Sequence, residues 1–201
     1  SALCDITVLA VDIRQQATSA TQLSQSGAAE SKKAVATLNH YFGFIGPIVR
    51  KHNGYVEKYL SNGLIAVFPK SKAAVYAALE LEKSVDEFNK QNKSYHAIAL
   101  VMGIHGEYNA IVGTVGESQR MESAIASNTA SVAIALQKLT QKLKAKILIS
   151  KSCFEKHLKK SSLIQVKHRF MGKHYMQIEK QQVECTVYEL FDAFDPKAAS
   201  A

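Results

Sequence analysis

The 201-residue sequence predicts an α+β domain, with a ferredoxin-like βαββαβ core, an antiparallel-rich sheet and a C-terminal β extension. Three observations carry this. The apolar runs follow the order strand, helix, strand, strand, helix, strand as their period changes along the chain. Two of the strand-like runs flank Ser61-Asn62-Gly63, and Asn-Gly between alternating apolar runs is a strong hairpin signal. Further strand-like runs close the chain.

The first strand is LCDITVLAV at 3–11. Residues 15–27 are polar and poorly periodic, so no element is expected there. Residues 30–52 predict a helix, because Leu38, Tyr41, Phe42, Ile45, Ile48 and Val49 recur at helical spacing. Pro47 inside it predicts a kink or break. GYVEKYLSNGLIAVFP at 54–69 is the hairpin, its turn expected to use the positive φ that Asn62 and Gly63 tolerate. Residues 71–92 form a second helix burying Ala74, Ala77, Ala78, Leu81, Val85 and Phe88. Residues 95–106 and 110–115 read as a long antiparallel pair, 121–143 as a helix and 146–149 as a short buried strand. Ser150 is placed to cap a short helix reaching Leu158. Strands at 164–170, 175–178 and 186–191 follow. Packing rules put the core helices on one face of the sheet.

Composition narrows the function classes. Hydrophobic residues make up 47% of the chain, enough for one full core, and no Pro/Gly/Ser-rich linker divides it, so residues 1–201 read as one domain. The net charge of +8 admits anionic partners such as nucleotides, nucleic acid or acidic membrane surfaces. Much of the excess lies at 138–160, where eight lysines face one acid, Glu155. No aromatic ladder interleaves with them, which favours a solvated surface over a single-strand binding platform. Three widely spaced cysteines without a Cys-x-x-Cys pair exclude a disulfide framework or zinc site and fit a reducing, cytoplasmic setting. No apolar run reaches the ~20 residues of a membrane span, and no signal peptide opens the chain. The chain begins almost directly on a core strand, which predicts a domain excised from a larger protein.

Several motifs in one order carry a resemblance. VLAVDIR at 8–14 resembles the opening strand of class III adenylyl/guanylyl cyclase catalytic domains. LNHYF at 38–42 and GPIVRKHNG at 46–54 are similar to that family's first long helix, including its proline. The 54–69 hairpin resembles the family's Gly-x-hydrophobic-acid-Lys-x-hydrophobic-Gly-Asp hairpin. MGIH at 102–105, VGTVGE at 112–117, Arg120-Met121 and VYELFD at 187–192 resemble its later core and end. The likeness spans nearly the whole chain and implies the class III nucleotide cyclase fold. It also implies a head-to-tail dimer with sites shared between chains, and ATP or GTP chemistry assisted by two Mg²⁺ or Mn²⁺ ions.

Carried over residue by residue, the resemblance puts the first metal aspartate at Asp12, with the Ile13 backbone beside it, and the second at Asn62, where the carboxylate is missing. The purine-reading positions are Lys58 and Asn128. The transition-state Asn and Arg fall on Ser131 and Ala135, one helical turn apart but without the amide and guanidinium. The phosphate loop at 15–19, QQATS, lacks the family's Gly-Phe-Thr or Ser-Phe-Thr pattern. HGEYN at 105–109 carries an apparent one-residue insertion. An amide is a poor Mg²⁺ ligand beside carboxylate. Removing one charge-stabilising contact costs on the order of 10²–10³ in rate.

The leading expectation is therefore a catalytically degenerate cyclase homology domain. It would dimerise with itself or with another cyclase domain, regulate cyclic-nucleotide or intracellular signalling, and contact neither nucleic acid nor membrane. Two alternatives stand beside it: a weak Mn²⁺-dependent cyclase using Asp12 and Lys58, and a basic nucleic-acid-binding ferredoxin-like domain.

Overall fold

The computed structural model describes residues 2–15, 27–93, 96–112, 118–155 and 166–193. Its elements run β1 (Ala2–Gln15), α1 (Gly27–Lys51), β2 (Tyr55–Leu60), β3 (Gly63–Phe68), α2 (Ser71–Gln91), β4 (Ile98–Val112), α3 (Ser118–Leu143), β5 (Ile147–Ser150), α4 (Lys151–Cys153), β6 (Val166–Ile178) and β7 (Gln181–Ala193). One seven-stranded sheet has the order β2-β3-β1-β4-β5-β7-β6. Of its pairings only β4 with β5 is parallel. The first four strands stand in the ferredoxin-like order, and β5 to β7 extend that sheet.

The pleat of β1 explains its unbroken apolar run. Successive side chains point to opposite faces, and both faces are covered. Leu9, Val11 and Ile13 pack with Tyr41, Ile45 and Val49 of α1 and Ala78, Leu81 and Phe88 of α2. Val8 and Ala10 meet Ile65, Val67 and Ala133 of α3 on the other side. The core helices α1 and α2 share a face as packing rules require. The third helix lies outside that core pair and covers the opposite face, because the apolar side of β1 and β3 there also has to be buried. Gly103 lets α3 approach closely: a Cβ there would lie 2.1 Å from the Ala133 carbonyl oxygen and 2.5 Å from the Gln137 nitrogen.

Several boundaries differ from the sequence reading. β1 runs on through Asp12 to Gln15, so Asp12 sits within the ladder, paired with Gly63 and Val101. α1 continues through Pro47 to Lys51 without a break, with Ile45 and Val49 fully buried on either side of the proline. The pair expected at 95–115 is one strand, β4, because β1 is long enough to partner it from Ile98 to Val112. The extra residue near 107–109 is taken up as a bulge opposite Cys4 to Ile6. The strands expected at 164–170 and 175–178 are likewise one strand, bulged near Gly172, whose φ is +82°. Ser150 stands at the N-cap of α4 but makes no capping bond; residues 156–158 of the expected helix lie outside the described residues.

The hairpin is present with a two-residue turn, Ser61-Asn62, yet neither Asn62 nor Gly63 has a positive φ. Gly63 is needed for closeness instead, since a Cβ would lie 2.1 Å from the Val11 carbonyl oxygen. The left-handed pair is at Glu179 and Lys180, with φ of 47° and 65°, joining β6 to β7 in the manner of a type I′ turn.

Candidate functional site

β1 and the β2–β3 turn bring Asp12, Ile13 and Asn62 together. The Ile13 N–H donates to the Asn62 carbonyl at 2.7 Å, which docks the turn beside Asp12. The Asp12 carboxylate accepts a hydrogen bond from Arg14 Nε at 3.2 Å, and the pair is partly exposed. Together with α3 they line a partly open cavity of about 390 Å³. Its polar wall is made by Asp12, Arg14, Asn62, Gln137, Lys138 and Gln141. Ala10, Leu60, Ile65 and Ile134 form apolar lining.

The other candidate positions lie elsewhere. Lys58 is exposed on β2, opposite Ile65 and next to a bulge in the β2–β3 register. Asn128 is exposed on α3. Ser131 is half-buried and Ala135 is buried, the latter in a cluster with Leu136, Leu139, Met176 and Val187. None of these four lines the cavity; α3 turns Ile134, Gln137, Lys138 and Gln141 toward it instead. The phosphate-loop positions 16–19, positions 113–117 and the side chains of Arg120 and Met121 lie outside the described residues.

The residues present do not fit a pair of divalent metals. Mg²⁺ and Mn²⁺ sites in nucleotide chemistry rely on carboxylates. Here one carboxylate is engaged by a guanidinium and the facing position is a neutral amide. Among the described residues no group of three or more His, Cys, Asp or Glu could hold a metal ion. Arg14 and Lys138 were missed by the residue-by-residue comparison. Arg14 was findable, since residues two apart on a strand share a face and Asp12 is two before it. Lys138 needed the packing of α3.

A second polar cluster is structural. His105 Nδ1 lies 2.7 Å from Ser150 Oγ, and Nε2 lies 3.1 Å from Glu107 Oε1. A carboxylate only accepts, so Nε2 carries the proton and Nδ1 accepts from the Ser150 hydroxyl. Burial holds the His105 pKa below the ordinary histidine value, against the smaller upward pull of Glu107. Ser150 is 2% exposed, which shuts this Ser–His–Glu arrangement off from any substrate.

No family model matches the chain. It is 27% identical over 155 residues to an adenylate cyclase of Anabaena cylindrica, covering 73% of this chain and 30% of that protein. It is 26% identical over 124 residues to the terminal-differentiation-specific adenylate cyclase of Dictyostelium discoideum, covering 59% of this chain and 6% of the other. The solved adenylyl cyclase CyaB from P. aeruginosa superposes with a TM-score of 0.58 at 19% identity, over 94% of this chain and 95% of that one. The chain has the fold of class III adenylyl and guanylyl cyclase catalytic domains. It spans under a third of the length of either curated relative. Among its described residues no helix is long and apolar enough to cross a membrane.

Proposed function

We propose that this cyclase homology domain is catalytically silent and acts as a dimerising, regulatory module in cyclic-nucleotide or other intracellular signalling, in the cytoplasm. The observation that carries the reading is the Asp12–Arg14 ion pair facing the amide of Asn62. A site that must neutralise charge on a transferring phosphoryl group depends on metals and cations placed beforehand. Here the inherited carboxylate already holds a cation of the chain's own, and Ser131 and Ala135 offer neither amide nor guanidinium. Such losses need not add, yet together they remove the main sources of rate.

A second reading, a weak Mn²⁺-dependent cyclase, is favoured by the retained Asp12 and the exposed Lys58. Concentrated protein incubated with ATP or GTP and Mn²⁺ separates the two. Cyclic nucleotide at background, with dimers in sedimentation velocity, is the expected result. Product that disappears in Asp12→Ala would establish the second reading, and a strictly monomeric protein would remove the dimerising role.

A further inference from the structure

The cavity beside Asp12 carries more positive than negative charge. Arg14 and Lys138 stand on its wall against one carboxylate, and among the described residues Arg14 engages that carboxylate through Nε. A guanidinium has five N–H donors in a fork that suits phosphate and carboxylate groups, and it stays charged at any working pH. Lys138 is exposed on α3 and adds a mobile point charge from the opposite wall. The amides of Asn62, Gln137 and Gln141 supply further donors, while Leu60, Ile65 and Ile134 offer an apolar surface. A volume of about 390 Å³ is in the range of small-ligand pockets.

We propose that this cavity binds a small organic anion without a divalent metal, with Arg14 and Lys138 as its counter-charges. The internal guanidinium takes the place that a metal would hold beside the carboxylate. The apolar lining selects an anion with a carbon body over an inorganic one. The inference goes beyond catalytic silence, because binding is read with no turnover involved.

Isothermal titration calorimetry tests it, with ATP as the organic probe and inorganic pyrophosphate as the bare anion, each in EDTA and in Mg²⁺. ATP is expected to bind in EDTA, to bind no tighter in Mg²⁺, and to bind more tightly than pyrophosphate. Lys138→Ala and Arg14→Gln should each loosen ATP by roughly tenfold, the scale of one charge-assisted hydrogen bond. Lys138 is exposed, so its variant keeps the fold, which circular dichroism checks. Binding only with Mg²⁺, no binding in either buffer, or binding indifferent to both substitutions would overturn the proposal. Pyrophosphate matching ATP would overturn its organic selectivity. A cyclic-nucleotide assay on the same sample reports separately on catalysis.

Discussion

Asp12 and Arg14 lie two residues apart on β1, so the pleat turns both toward α3 and into the same cavity. At 3.2 Å the guanidinium answers the carboxylate from within the chain, and a divalent ion arriving there would have to displace it. Asn62 across the turn adds no charge to help it do so. The prediction at this scale is a gain of function. Arg14→Ala combined with Asn62→Asp should bind Mn²⁺, seen as loss of the free-ion signal in electron paramagnetic resonance, while the unaltered protein leaves that signal intact. Equal Mn²⁺ binding by both proteins would show that Arg14 does not close the site. Asp12, Ile13 and Asn62 are neighbours because strand register and a two-residue turn place them so, and both are legible in the sequence. Arg14 is legible too, as the next residue on the same face of the strand, but it holds no position in the cyclase resemblance.

The elements that hold the cavity open depend on close approach. α3 rests on β4 at Gly103, where a Cβ would meet backbone atoms of Ala133 and Gln137 that cannot move alone. Gly103→Ala should therefore cost about 1–3 kcal/mol, the range of core overpacking, measured by urea denaturation. A change under about 0.5 kcal/mol, typical of a surface site, would mean the helix seats more loosely than this. A pH effect belongs to the junction of β4, β5 and α4. His105 is neutral there between Ser150 and Glu107, with burial lowering its pKa. The unfolded chain binds the proton first as pH falls below ~6.5. The contribution is thus complete above that value and is lost as pH drops toward the depressed folded pKa. His105→Gln should flatten the melting temperature between pH 5 and 7; an unchanged slope would assign the effect elsewhere.

Element identities were largely legible in the sequence, and their lengths were not. Helical and strand periods are local, so α1, α2, α3 and the β2–β3 hairpin could be read from spacing. Whether Glu107 to Asn109 turns or continues depends on the partner strand, and β1 supplies pairing along the whole of β4. The turn at Glu179-Lys180 carries none of the Gly or Asn chemistry that marks a left-handed pair, so it gave no signal. Gly63 did give a signal, for a different reason from the one expected: its missing Cβ admits the Val11 carbonyl.

Over the whole molecule, the lysine excess is partly answered on the surface. Lys146 pairs with Glu82 at 3.7 Å and Lys151 with Glu155 at 4.0 Å. Exposed pairs of this kind are worth little to stability, but they dilute the positive charge of a basic face. The second consequence at this scale concerns α3, which connects the β1–β3 half of the sheet to the β5–β7 extension. Its Ala133 packs against β1 and β3, while Ala135 and Leu139 join Leu148, Met176 and Val187. The position that the cyclase resemblance reserves for a transition-state arginine is thus part of the apolar seam between helix and extension, with Ala135 8% exposed. Putting the arginine back should cost roughly 2 kcal/mol through overpacking, with the stem snorkelling to bring its charge to water. For a domain of this size that lowers the melting temperature by roughly 4–8 °C. Adding Ala135→Arg to Arg14→Ala, Asn62→Asp and Ser131→Asn is expected to give that drop in a thermal melt, with cyclic nucleotide still at background. If the fourfold variant instead melts where the parent does and makes product, the losses are simple deletions on an intact catalytic frame. If it melts lower and stays silent, α3 is packed in a way that does not accept the arginine, and restoring the missing groups alone does not restore turnover.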